Sequence, residues 1–354
     1  MEMTQKKDSF LRYIHNFRGL AILAIVIGHV VPFLNWEINP TLYPFVLTIT
    51  TNGSTYFVFI AGFLFQFLSK KYEYKSYLVK KFYNVILPYL IVSIPGILLC
   101  LWKDKPFEPN SWVANVFSQW YIPEKIIVLY LTGAHFFHFW FIPMIAIYYI
   151  FSPIFIWIDR HPKIYAILPL MLILSLIIPR PEDNGIILQT SIHFISIYLL
   201  GMFCCHYRER VLSMMEKSWL ICTIAALILI AIENFWLYNS NNMIYFLYIN
   251  TLTKAIISVI AIYFFWRFDS VLTDRFHAIM ENLANLSFGI YFVHGYVIYI
   301  YGIILKYLGL KTLLLAANPI TFLLALSIVI LWTIVLLLVI QKILKKRSRY
   351  VTGC

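Results

Sequence analysis

The chain has 354 residues, of which 61% are hydrophobic and only 12% charged, with a formal net charge of +12. A soluble chain of this length needs far more charge to cover its surface, so the composition predicts a polytopic, all-α integral membrane protein. The pattern lacks the alternating, turn-punctuated segments of a membrane β-barrel. The positive charge is gathered in short connections, which is a mark of membrane orientation and not of nucleic-acid binding.

Residues 1–12 are polar and basic, with Lys6, Lys7 and Arg12. Apolar runs then predict about ten transmembrane helices, at roughly 14–34, 51–68, 82–101, 138–157, 164–179, 190–206, 218–236, 244–266, 284–306 and 319–341. Pro88 and Pro95 fall inside the third, where membrane helices tolerate kinks. The longest connection, 102–135, carries Trp112, Trp120 and Tyr121, which suits a segment lying at the bilayer interface. The tail 342–354 is basic. Internal repeats, low-complexity stretches and a separate soluble domain are not seen, so residues 1–354 read as one transmembrane domain that must hold any chemistry itself.

Ten spans place both termini on one side. Lys and Arg crowd 1–12, 70–81, 159–163, 206–217, 267–283 and the tail, whereas the alternate connections hold only Lys103, Lys105, Lys125, Arg180, Lys306 and Lys311. The positive-inside rule therefore predicts cytoplasmic termini. The five cysteines form no CxxC pair and read as small buried apolar residues. The first apolar run is too long for a cleavable signal and contains an arginine.

That first run, Tyr13 to Val31, is where chemistry is expected. It carries Arg18 and His29, eleven residues apart. On a helix they fall within about 20° of one face and about 16 Å apart along it. Ionisable groups inside a membrane are costly and mark functional sites or paired structural ones. Arg18 reads either as a snorkelling anchor or as a bidentate clamp on phosphate or carboxylate. His29 reads either as a packed core residue or as a general base.

Other groups carry paired readings. Ser287, Tyr291 and His294 share one helical face, as packing or as a polar stripe toward substrate. His138 and Trp140 stand at the start of the fourth span, where Trp140 is either a belt residue or a platform for a sugar ring. Glu233 is either exposed to water or orients a histidine or a sugar hydroxyl. Lys254, in mid-span, is either salt-bridged or part of a donor site. His135 and His138 lie three apart without a third ligand in sequence, so no metal site is expected. GxSxG is absent, which disfavours a serine-hydrolase elbow.

Several stretches in order resemble membrane acyltransferase family 3. FRGLAILAIVIGH, with Arg18 and His29, resembles its first helix, marked by a basic residue, ten intervening residues and histidine. FVFIAGFLF (57–65) is similar to its second helix, KKFYNVILPY (80–89) to the basic start of its third, HFWFIPMIAIYYIFSP (138–153) to its fourth, and LSFGIYFVHGYVI (286–298) to a late helix with Ser, Tyr and His. Where the family commonly carries two arginines three apart at the third helix, this chain has Lys81 and Asn84, with Lys70, Lys71 and Lys80 as further charge.

The resemblance implies a multi-pass bacterial inner-membrane O-acyltransferase. It would move an acyl group, usually acetyl from cytoplasmic acetyl-CoA, to a hydroxyl of a surface or exported polysaccharide or its lipid-linked precursor. Acyl-CoA would be a co-substrate, with no tightly bound cofactor. His29 would be the catalytic base, with Arg18, Lys80 and Lys81 holding the donor. His138, Trp140, Glu233, Lys254, Ser287, Tyr291 and His294 would be acceptor or supporting residues. Expected partners are acyl-CoA, a glycan or glycolipid, membrane lipid and glycan-assembly proteins. The rival readings are a polysaccharide transporter or flippase, or a polymerase whose groups would lie in the 102–135 loop. The first of these usually shows an internal repeat.

Overall fold

The computed structural model describes residues 2–37, 39, 41–107, 111–181, 185–240, 243–310, 312 and 315–354, with the side chains of 2–11, 237–240 and 243–248 left aside. The side chains of Lys6 and Lys7, and residues Glu182, Asp183, Asn184 and Lys311, therefore lie outside what is described.

Among the described residues the architecture is helical, with one isolated bridge between Asn35 and Ala316. The helices are α1 (Glu2–Val30), α2 (Leu42–Thr50), α3 (Ser54–Leu68), α4 (Tyr74–Lys81), α5 (Leu87–Lys103), α6 (Trp112–Val116), α7 (Ile122–Thr132), α8 (Phe141–Ile150), α9 (Ser152–Arg160), α10 (Leu168–Ile177), α11 (Ile187–His206), α12 (Arg208–Ser240), α13 (Met243–Arg267), α14 (Asp274–Tyr307), α15 (Pro319–Leu344) and α16 (Ser348–Thr352).

Among the described residues, eight helical segments are long and apolar enough to cross a membrane, or nine when α8 and α9, bent by 56° at their junction, count as one broken span. The fifth expected span is a shorter apolar helical stretch, Pro162–Ile177. Its first turns, Pro162–Ile167, are 3-10 in form and leave only α10 as regular helix. Prolines at 162 and 169 suit helix starts, not interiors, which is why the run is subdivided.

Small residues set the tightest helix contacts. A methyl on Gly62 of α3 would overlap the Tyr198 carbonyl of α11, and one on Gly201 would overlap the Phe59 carbonyl in return. The two backbones thus touch, as membrane helices do where the driving force is close packing and not exclusion of water. The Ala-Gly-Phe step of the second apolar run is this contact.

Helix α1 packs along α14. Near one end Asn16 Nδ2 meets His277 Nδ1 at 2.9 Å, while His277 Nε2 lies 3.0 Å from the Asp269 carbonyl. The carbonyl can only accept, so Nε2 carries the proton and Nδ1 accepts from Asn16. Arg12 pairs with Asp269 beside this contact. At the other end, the segment after α1 ties to the one before α15. There the Asn35 amide donates to the Leu315 carbonyl at 2.6 Å, and the Ala317 amide to the Asn35 carbonyl at 2.8 Å. This clamp fixes the rotation of α1 and so the direction of the groups along it.

Candidate active site

Two cavities open along α1, one at each of its unusual residues. The first, about 540 Å³, is lined by His29, Asn52, His138, Trp140, Arg180 and Tyr291 among others. The second, about 790 Å³, is lined by Arg18, Lys71, Lys80, Lys81, Asn84 and Arg349 among others. Phe141 lines both, so the cavities share a wall.

Three imidazoles gather at the first cavity. The His29 ring lies 5.3 Å from that of His294 and 6.2 Å from that of His138, and the latter two are 4.6 Å apart. His294 Nδ1 lies 2.9 and 2.8 Å from the carbonyls of Ile290 and Tyr291. Carbonyls accept only, so neutral His294 holds its proton on Nδ1 and keeps Nε2 as its basic nitrogen. That Nε2 is buried without a partner in the protein, and the ring nitrogens of His138, also buried, meet no more than the Phe292 backbone. Unsatisfied buried polar atoms are rare enough that each asks for a reason, and ligand or proton transfer is a common one. Among the described residues, no set of three His, Cys, Asp or Glu side chains has metal-holding geometry.

The local chain explains how His138 arrives there. Helix α7 ends at Gly133 in the left-handed region, with φ of 72°, where a side chain would strain the backbone and overlap the Trp140 amide. The chain then coils tightly from 134 to 140 before α8. Tyr291 Oη donates to the His138 carbonyl at 2.5 Å and pins the coil to α14. Gly295, one turn along α14, leaves room for the His138 ring, which a methyl there would overlap. His138 is 1% exposed and Trp140 5%. Trp140 stacks on Phe194 at 5.9 Å between centroids and faces the cavity, not lipid.

Arg180 sets the cavity's charge. Its guanidinium lies 4.5 Å above the Trp140 ring and donates to Asn52 Oδ1 at 2.9 Å. Asn52 holds a positive φ of 65° and donates to Thr251 Oγ1 at 2.8 Å, which in turn lies 3.0 Å from His193 Nε2. Four elements thus position one cation that reads, in sequence, as an ordinary loop charge.

The second cavity is basic. Arg18 lies 5.4 Å from the Phe288 ring centre, and Lys81 4.8 Å from that of Tyr149. A single π-helical turn, Phe82–Ile86, joins α4 to α5 and carries Asn84 to the wall. Such turns insert one residue into a helix and are frequent at functional sites.

A family model described as an acyltransferase domain matches residues 11–339. The chain belongs to membrane acyltransferase family 3. Among the curated proteins and the solved structures, none matches it.

The acyltransferase keeps three of the sequence-derived candidates away from both cavities. Ser287 is buried and donates to the Ala284 carbonyl of its own helix at 2.7 Å. Glu233, 0% exposed, accepts from Asn250 Nδ2 at 2.8 Å and from the Thr253 hydroxyl. Lys254, 2% exposed, donates to the Ile49 carbonyl at 2.5 Å and the Thr48 carbonyl at 3.3 Å. Those carbonyls end α2, where a cation meets both orphan acceptors and the negative end of the helix dipole. His29, His138, Trp140, Tyr291 and His294 come together in the first cavity region, and Arg18, Lys80 and Lys81 in the second. Residues not singled out from sequence are Arg180 and Asn52 in the first, and Tyr149, Asn285 and Arg349 in the second. The sequence signals that could have found the first two are an arginine between two prolines, Pro179 and Pro181, and an Asn-Gly pair at 52–53.

Proposed function

We propose that the acyltransferase is an O-acyltransferase that moves an acyl group, most simply acetyl, from cytoplasmic acyl-CoA to a hydroxyl of a surface or exported glycan or its lipid-linked precursor. The observation that carries the reading is the placement of Arg18 and His29. One helix presents a guanidinium to a basic cavity and an imidazole to a second cavity sharing its wall at Phe141. The phosphates of the donor suit the basic side, since guanidinium and ammonium groups bind phosphate through charge-assisted hydrogen bonds. The roughly 16 Å along α1 between the two residues is about the reach of an extended phosphopantetheine arm. The thioester would then meet the acceptor beside His29.

In the chemical step the acceptor hydroxyl oxygen attacks the thioester carbonyl and gives its proton to the His29 imidazole. The new C–O bond forms, the C–S bond breaks, and the departing thiolate takes the proton back from the imidazolium. His294, with Nε2 basic and 5.3 Å away between rings, and His138 beside it supply further proton acceptors around the same point. Arg180 over Trp140 offers a donor fork and an aromatic face to a polyhydroxylated acceptor at the cavity wall. The crowding of Lys and Arg into the connections on the side of the basic cavity supports a cytoplasmic position for it under the positive-inside rule, the side on which acyl-CoA is found.

The test is His29→Ala in the native host with proton NMR of the surface polysaccharide. Loss of acyl signals with normal polymer export supports the reading. Loss of the polymer itself would instead indicate transport or polymerisation.

A further inference from the structure

The basic tail folds back onto the protein. Helix α15 stops at Lys345, whose φ of 50° reverses the chain. A 3-10 turn, Lys345–Arg347, leads into α16, and Gly353 closes it with φ of 77°. Ser348 and Thr352 are buried, and Ser348 Oγ donates to the Cys354 carbonyl at 2.9 Å. Tyr350 meets Tyr83 edge-on at 5.9 Å. A methyl on Gly353 would lie 3.1 Å from Phe288 Cβ and 3.6 Å from the Asn84 carbonyl. Phe288 is the ring under Arg18. The tail is therefore seated between the Arg18 wall and the π-helical turn, and Arg349, Gly353 and Cys354 line the 790 Å³ cavity.

The charge around that cavity is one-sided. Among the described residues, the side chains of Arg18, Lys71, Lys80, Lys81 and Arg349 line it against a single side-chain carboxylate, Glu73. Glu73 is already engaged: its two oxygens accept from the backbone amides of Lys75 and Ser76 and cap α4. Position 84, on the same wall, holds an amide and not a cation. Arg349 is the second guanidinium at this cavity beside Arg18, and it comes from the tail.

We infer that the tail is a clamp on the phosphate end of the ligand in this cavity, with Arg349 supplying a phosphate-binding fork that α4 and α5 lack. The inference rests on the reading of this cavity as the acyl-CoA site. A phosphate ester is the shared chemistry of coenzyme A and of an anionic lipid headgroup. The experiment must separate the two.

The full-length protein in nanodiscs of zwitterionic lipid is titrated with coenzyme A and with S-acetyl-pantetheine, which lacks phosphate. Arg349→Gln is expected to weaken coenzyme A binding about tenfold, the order for one charge-assisted hydrogen-bonded contact, and to leave S-acetyl-pantetheine binding within about twofold. Arg349→Lys should fall between, because an ammonium keeps the charge but not the fork. Arg349 is exposed, so neither change leaves a buried group unpaired. Equal coenzyme A affinity in wild type and Arg349→Gln overturns the clamp while leaving the donor reading intact. Absence of coenzyme A binding in the wild type overturns both. Arg349-dependent retention of phosphatidylglycerol, with no effect on coenzyme A, assigns the tail to lipid and overturns its role toward the donor.

Discussion

Gly295→Ala should slow transfer without touching the donor site. A methyl at this position would overlap His138 Cε1 and lie 2.7 Å from its Nδ1 and 2.9 Å from Phe136 Cε1. Ordinary carbon contacts are about 3.5–4.0 Å, so the ring must move by about an ångström. It has little room. Phe139 lies at 4.2 Å, Phe137 at 5.1 Å and Tyr291 at 5.4 Å between ring centres, and the His138 carbonyl is held by Tyr291. Inserting a methyl into so packed a site costs about 1–3 kcal/mol. With about 1.4 kcal/mol per factor of ten, the present arrangement of His138 against His294 and His29 becomes roughly five- to 150-fold less populated. Transfer to the acceptor should fall by about that factor, while acyl-CoA binding at the Arg18 cavity changes less than about twofold. Initial rates with radiolabelled acyl-CoA, beside equilibrium binding of the same donor, measure both. An unchanged transfer rate in a stably folded Gly295→Ala protein would refute the claim that the placement of His138 matters to the chemistry.

The remaining predictions probe separate parts of the molecule. Arg18→Gln should weaken acyl-CoA binding by about 10- to 150-fold, the worth of a charge-assisted contact of about 1.5–3 kcal/mol, as read by titration in nanodiscs. Glu233→Ala removes the acceptor of Asn250 and Thr253 and should lower stability by about 1–3 kcal/mol in thermal unfolding. Activity per folded molecule should stay near wild type, and selective loss of acceptor transfer would instead place Glu233 at the acceptor. Gly62→Val forces α3 from α11 and should cost at least about 1–3 kcal/mol, seen as a lowered unfolding midpoint.

Much of the membrane plan is legible in hydropathy, because a long apolar run needs no partner to be read as a helix. The exceptions are the fourth run, broken into α8 and α9 with a 56° bend, and Pro162–Ile177, which is divided by proline chemistry and falls short of a full-length helix. Arg18 and His29 are legible for the same physical reason: each breaks an apolar run at a cost, and their spacing follows from helix geometry alone. What sequence spacing cannot carry is which helices meet. His294 reads as part of a stripe on its own helix, yet its neighbours His29 and His138 come from α1 and from the coil before α8. Arg180 reads as a loop charge because its position depends on the backbone of Asn52 and the ring of Trp140, both distant in the chain. Glu233 and Lys254 read as separate intramembrane oddities. They belong to one polar knot where α12 and α13 meet the end of α2. The tail reads only as a basic run until the reversal at Lys345 seats it over Phe288.

The most direct measurement is the rate at which purified, reconstituted protein transfers labelled acyl from acyl-CoA to its glycan acceptor, compared between wild type and His29→Ala. General-base catalysis contributes about 10²- to 10⁴-fold. The account predicts a loss in that range with donor affinity preserved. Transfer at the wild-type rate by a folded His29→Ala protein would contradict it.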